Sequence, residues 1–462
     1  MNASALTTGI VLLHLLGVFA AMHAVMHART PQGSIGWALG LMLLPYVTLL
    51  PYLYLGSSRF LGYRIAHPTA PPRTLPLPGD APIDPGCDRY AAIGALQGRA
   101  FRGGHRLRLL IDGEAAFDAM LTAMAAAEHC LLVQFFIIHD DALGRRLQQI
   151  LLDRAAAGVR VCVLFDGIGS HALPQRYVEA LRAGGVAIHR FATHRWRNRL
   201  QLNFRNHRKI VVVDGARAFV GGLNVGDEYL GLRPPLSPWR DTQLELQGPA
   251  VADLQQLFAQ DWQWITGEQP PLLPTPAGDG HASALVVACG PADPQETGSL
   301  FFTAAIHAAR QRVWLSTPYF VPDHAVRAAL QLAVLRGVDV RVLIPSRPDH
   351  HTVFLASTLH AHHAVRAGIR VFRYQPGFVH QKVLLIDRDT AAIGSMNLDS
   401  RSFRLNFEVA ALAVDQAFAA EVAAMLTTDF SRARAVDERD YRDAPYLRRV
   451  AMHVARLFDP LL

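Results

Sequence analysis

The chain has 462 residues, with 45 Lys plus Arg against 38 Asp plus Glu, a net charge of +7 and a pI near 9.5. That length exceeds one ordinary core, so two or three domains are expected, and the basic balance suits a polyanion or an anionic membrane surface. Four scattered cysteines, Cys87, Cys130, Cys162 and Cys289, lack C-x-x-C spacing and read as small buried hydrophobes, not as a disulfide framework or a zinc site.

Residues 1–28 contain no charged side chain, and a second uncharged stretch covers 34–55. At about 1.5 Å per residue both are long enough to cross a bilayer. No Lys or Arg precedes the first stretch, as a signal peptide would require. The pattern predicts a transmembrane hairpin over residues 1–64, with spans at about 6–26 and 34–55 around the turn Arg29-Thr-Pro-Gln-Gly33, and a bend at Pro45 or Pro51. Arg59, Arg64 and Arg73 follow the hairpin while only Arg29 lies in its turn, which places the body of the chain in the cytoplasm.

Residues 65–90 read as a linker stiffened by prolines such as Pro68, Pro71, Pro72 and Pro76. Two similar halves follow, 91–270 and 284–462, separated by a linker at 271–283. The first contains Cys130–Ile138, Gly158-Val-Arg-Val, Gly185-Val-Ala-Ile and a strand near Asp241–Leu246; the second contains Val313-Trp-Leu, Gly337-Val-Asp-Val, Gly368-Ile-Arg-Val and Phe407–Val414. Corresponding points lie 179, 183 and 173 residues apart (337 − 158, 368 − 185, 380 − 207). Apolar strands alternating with helices predict an α/β fold: two α-β-α halves related by pseudo-two-fold symmetry, with one site between them. From Leu447 to Leu462 a helix is expected with Leu447, Val450, Val454, Leu457 and Phe458 on one face, lying either on a membrane surface or against the body.

The chain contains two lysines, each inside the same pattern: His207-Arg-Lys209-Ile-Val-Val-Val-Asp214 and His380-Gln-Lys382-Val-Leu-Leu-Ile-Asp387. On a strand, His and Lys at i and i+2 project from one face. Asn224 and Asn397 follow the histidines by 17 and 15 residues (224 − 207, 397 − 380), after small-residue turns. Two His, two Lys and two Asn, with no candidate metal cage and no cofactor motif, suit a phosphodiester whose non-bridging oxygens Lys209, Lys382, Asn224 and Asn397 would hold. One neutral imidazole would attack phosphorus while the other, protonated, serves the leaving alcohol. Asp241 and Glu408, in corresponding late strands, are the acids expected to orient His207 and His380 respectively.

These motifs, with Val220-Gly-Gly-Leu-Asn-Val-Gly-Asp-Glu-Tyr229, Ser316-Thr-Pro-Tyr-Phe-Val-Pro-Asp323, Gly394-Ser-Met-Asn397 and Leu405-Asn-Phe-Glu408, resemble the phospholipase D superfamily and, within it, bacterial cardiolipin synthases. The resemblance implies a phosphatidyltransferase of the inner membrane that joins two phosphatidylglycerols, releases glycerol and needs no cofactor. It implies that His207 is the nucleophile and His380 the general acid, with Asp214 and Asp387 completing the catalytic motifs in a supporting role. Gln134 stands where such enzymes tend to carry an acid. The expected partners are phosphatidylglycerol, other anionic phospholipids and the membrane, not nucleic acid; a hydrolytic phospholipase D and an inactive lipid-binding protein are the alternatives. The basic run Arg195-Trp-Arg-Asn-Arg199, with Arg205 and Arg208, is a candidate seat for anionic head groups. Of His350, His351, His360, His362 and His363, His360 and His363 share a helical face, too few for a metal site.

Overall fold

The structure is a computed structural model that describes residues 3–28, 31–56, 85–191 and 203–462. The described residues divide into two compact units: those up to residue 56 with 203–204 and 291–294, and those of 85–191, 205–290 and 295–462.

In the first unit the helix Ala3–His27 carries exposed Leu12, Phe19, Met22 and Met26, as a helix in lipid would and a core helix would not. Among the described residues, one helix, at Thr7–His27, is long and apolar enough to cross a membrane. The second apolar stretch, expected as one span, is two helices, Pro31–Leu43 and Pro45–Leu55, each too short to cross alone. The cause is Pro45, which has no N–H to donate to the previous turn; Leu44 leaves the helical region and the Thr48 hydroxyl bridges the break by donating to the Gly40 and Leu44 carbonyls. The helices pack through Ala21, Ala24, Leu41 and Tyr52, and a Cβ on Gly17 would meet the Leu41 carbonyl oxygen at 2.3 Å. Most of the proline linker falls outside the described residues.

The second unit is built on a mixed sheet of sixteen strands that repeats one strand order. In the first half, moving outward, Thr242–Gln247, Arg217–Gly221, Ile210–Val213, Cys130–Phe135, Arg160–Asp166 and Ala187–Phe191 lie side by side. In the second half Asn406–Val414, Thr390–Gly394, Val383–Ile386, Arg312–Ser316, Asp339–Pro345 and Arg370–Tyr374 take the same places. Arg102–Ile111 and Ala282–Cys289, not foreseen as a pair, join the two sets edge to edge. The outer strands of each half are parallel and are crossed by helices, which explains the unbroken apolar runs of the inner ones, such as Val161–Phe165 and Val342–Ile344.

One core layer is shared by the halves: Val212 and Leu246 of the first half belong to the same apolar cluster as Leu385 and Ala411 of the second, with residues of the helices Ala250–Thr266 and Gln416–Ser431. The opposite faces have separate cores, and that of the second half is completed by Cys87, Tyr90, Ile93 and Phe101 from the start of the body. Two short parallel pairings also cross between the halves, Arg205–Asn206 with Asn406–Phe407, and Trp239–Arg240 with Phe378–Val379. They bring each histidine motif to its partner half.

Candidate active site

His207 and His380 each follow one of these crossing strands. The His207 N–H donates to the Phe407 carbonyl (2.9 Å), and the His380 N–H donates to the Arg240 carbonyl (2.8 Å). Each histidine backbone is thus tied to the residue immediately before an acid of the other half. The side chains follow: His207 Nδ1 bonds Glu408 Oε2 at 2.9 Å, and His380 Nδ1 bonds Asp241 Oδ2 at 2.7 Å. The expected pairing, Asp241 with His207 and Glu408 with His380, is therefore reversed. The crossing strands force the exchange, because they set each acid beside the opposite half's histidine.

The acids are buried, yet differently wrapped. Glu408 Oε2 also accepts from Ser395 Oγ (2.5 Å), and its Oε1 accepts from Ser402 Oγ (2.9 Å) and Asn406 Nδ2 (3.1 Å). Asp241 Oδ1 accepts from the Thr242 N–H (2.8 Å), and Trp239 Nε1 reaches its Oδ2 at 3.4 Å. Gly222 makes room for the shorter acid, since a Cβ there would sit 2.1 Å from Asp241 Oδ1; at the equivalent position the second half has Ser395, which bonds Glu408 instead. Burial opposes charge on both acids, but the facing imidazole and ammonium groups prevail and hold both below the usual carboxylate range.

Behind each histidine lies its lysine. Lys209 Nζ donates to the His207 carbonyl at 2.6 Å, and Lys382 Nζ donates to the His380 carbonyl. Burial pushes Lys209 down to about 7 and Lys382 down to about 8, and repulsion from Lys382 adds to the shift of Lys209. Burial, reinforced by the ammonium groups, pushes both imidazoles down to about 4. Both are therefore neutral at pH 7, with Nδ1–H donated to a carboxylate, and the Lys382 ammonium lies 3.0 Å from His380 Nε2. Their aromatic surroundings differ: Phe136 meets His207 edge-on at 4.9 Å, while Trp239 and Phe378 lie 5.0 and 6.0 Å from the His380 ring.

His207 and His380 line one cavity of about 720 Å³, together with Asn224, Asn397, Tyr229, Trp239, Tyr319 and Arg205. Asn224 Oδ1 accepts from the Ile137 N–H and its Nδ2 donates to Tyr229 Oη, while Asn397 Oδ1 is buried with no donor among the described residues. Asp214 and Asp387 do not line this cavity. They end the motif strands in left-handed turns (φ 50° and 51°), where their carboxylates collect the N–H groups of His129 and Cys130, and of Gln311 and Arg312.

Arg208, expected at a head-group seat, instead makes a buried ion pair with Asp261 (2.8 Å), to which Gln134 and Asn206 also donate. Alternation along the strand explains this: 207 and 209 face the site, so 208 faces the helix behind. In the second half Gln381 takes that place, and Asp429 receives its arginine from Arg240 (2.9 Å), the residue before Asp241. Arg195–Arg199 lie outside the described residues. The histidine cluster disperses, with His360 bonded to Asp459 (2.8 Å), His362 stacked on Tyr441, and His350 and His351 at the cavity. Trp239, Asn406 and Ser395 were missed, although Trp239 and Asn406 each stand two residues before an acid and so share its face.

Comparison with known proteins agrees with this geometry. A family model described as "Cardiolipin synthase, PLD-like domain" matches residues 120–262 and 302–432. Cardiolipin synthase A of Pseudomonas aeruginosa is 56% identical over 97% of this chain and 95% of its own length. The chain belongs to the cardiolipin synthase family. Cardiolipin synthase A of Pseudomonas entomophila is 55% identical over 98% of this chain and 97% of its own. Among solved structures, a phosphatidylserine synthase of Haemophilus influenzae covers 81% of this chain and 100% of its own at TM-score 0.63 and 13% identity. At that identity it supports the phospholipase D-like fold of two repeated domains and nothing finer.

Proposed function

We propose that this protein is a membrane phosphatidyltransferase that makes cardiolipin from two phosphatidylglycerols. The observation that carries the reading is the crossed pair of carboxylate–imidazole couples, each presenting Nε2 to one cavity with an ammonium behind it. His207 Nε2 attacks phosphorus of the first lipid, the bond from phosphorus to the glycerol oxygen breaks, and that oxygen takes a proton from His380 Nε2. The hydroxyl of a second phosphatidylglycerol then gives its proton to His380 and attacks phosphorus, breaking the bond to His207. One phosphodiester is lost and one made. Lys209, Lys382, Asn224 and Asn397 neutralise the non-bridging oxygens as charge develops.

The unequal wrapping of the acids supports this division of roles. Glu408 is fixed by three donors besides His207, which holds the carboxylate in place and the His207 tautomer that leaves Nε2 to attack. Asp241 has fewer competing donors, and the Trp239 ring beside His380 favours an imidazolium, offsetting part of the repulsion from the Lys382 ammonium. An anionic phosphodiester in the cavity raises the histidine further, supplying the protonated acid. Asp214 and Asp387 act from a distance by fixing the strands. The apolar stretches 6–26 and 34–55 would form a bent hairpin in the bacterial inner membrane, with the body on the cytoplasmic side and residues 91–270 and 284–462 as its two halves.

Purified protein supplied with phosphatidylglycerol vesicles tests this by mass spectrometry of the products. Cardiolipin and glycerol in equal amounts, lost in His207→Ala, are expected. Phosphatidic acid without cardiolipin would overturn the transferase reading.

A further inference from the structure

The helix Tyr446–Arg456 is oriented the wrong way for a helix that merely packs. Its buried residues are Met452 and Ala455, which seat it on the helix His351–Arg366. At 100° per residue, the apolar positions Leu447, Val450, Val454, Leu457 and Phe458 form a continuous stripe on the side away from that contact. Leu447 and Leu457 are 79% and 76% exposed, and Val450, Val454 and Phe458 are exposed as well. Arg448, Arg449 and Arg456 stand off the stripe, so residues 446–459 carry three arginines against Asp459 alone. The turn after the helix is fastened, with Asp459 bonded to His360 and the Leu461 and Leu462 carbonyls accepting from Arg401. Leu461 and Leu462 line the cavity that holds His207 and His380.

We infer that this helix is an interfacial docking element that lays its apolar stripe into an anionic lipid surface and holds the cavity mouth against it. The occupant follows from the cavity, which takes phospholipid on the reading above, and on which this inference rests. A stripe on the element whose following turn lines a lipid-consuming cavity matches acyl chains, and the three arginines give that element the positive charge an anionic surface attracts. The function is delivery: substrate enters along the surface the helix occupies, instead of crossing water.

All four native cysteines are buried, so Leu457→Cys in the full chain accepts an environment-sensitive nitrobenzoxadiazole probe at one exposed site. Vesicles of equal phosphatidylglycerol and phosphatidylcholine should shift its emission to the blue, with quenching by brominated acyl chains, and vesicles of phosphatidylcholine alone should do so much less. Leu447→Asp/Leu457→Asp should lose about tenfold or more in turnover of vesicle phosphatidylglycerol, while staying within about twofold on short-chain phosphatidylglycerol dispersed as monomers. No shift on either vesicle, an equal shift on both, or an equal fall on both substrates would overturn the inference. Wild-type protein that forms cardiolipin from neither substrate would instead overturn the transferase reading.

Discussion

Asp241→Asn tests the crossed pairing directly. Asp241 Oδ1 accepts from the Thr242 backbone N–H, a donor that cannot turn round, while Oδ2 faces His380 Nδ1 at 2.7 Å. An asparagine must keep its carbonyl on Thr242, because reversal would bury an unsatisfied N–H at about 1–3 kcal/mol. Its amide then faces His380 with hydrogens, so Nδ1 becomes an acceptor and the imidazolium has no counter-charge. General acid–base catalysis at His380 is worth about 10²–10⁴-fold, and that is the expected fall in cardiolipin formation. A phosphatidyl ester of p-nitrophenol separates the steps, since nitrophenolate leaves without a proton. In Asp241→Asn the first step then recovers, and stopped-flow absorbance shows a near-stoichiometric burst followed by slow turnover, with the phosphatidyl group held on His207. Glu408→Gln acts on the nucleophile and should weaken the burst itself. A burst lost in Asp241→Asn and kept in Glu408→Gln would refute the crossed assignment.

Lys209→Arg should lose most of its rate, because a forked guanidinium cannot occupy the pocket that seats a compact ammonium 2.6 Å from the His207 carbonyl. Wild-type turnover in that variant would refute the role. With Lys209 and Lys382 pushed down to about 7 and 8, kcat/KM should fall through that range as the ammonium groups deprotonate. Stability should move the other way. Both lysines hold protons less tightly folded than unfolded, where the value is 10.5, so their contribution to stability rises between pH about 7 and 10.5, read as Tm against pH. Gly222→Ala should displace Asp241 and cut kcat with little change in KM, whereas Ser395→Gly should be far milder. Arg208→Met leaves Asp261 buried without its cation and should cost about 3–5 kcal/mol in chemical denaturation, most of it recovered in Arg208→Met/Asp261→Asn.

Much of this site was legible in the sequence because its chemistry is local. His and Lys two apart on a strand, repeated at 173 residues (380 − 207), announce a duplicated phosphate site, and apolar strands between helices announce the covered sheet. The pairing of acids with histidines was not legible, because two-residue strand pairings between halves decide it and spacing within a half carries no trace of them. The charge of Arg208 suggests a ligand seat, but alternation along the strand turns it inward to Asp261. Asp261 and Asp429 were overlooked because an acid on an amphipathic helix looks like a solvated one until the sheet closes over it. The apolar stretch 34–55 showed Pro45, and the break lies there.

The exchange of carboxylates between halves also governs when activity begins. The chain leaves the ribosome with His207 and Lys209 already in its sequence, while Glu408 follows His207 by 201 residues (408 − 207). Until the second half has folded onto the first, neither histidine has its counter-ion and neither tautomer is fixed. A growing or truncated chain, although already able to meet lipid through its first helix, carries the reactive groups unarmed. Completion of the fold is the switch that turns them on.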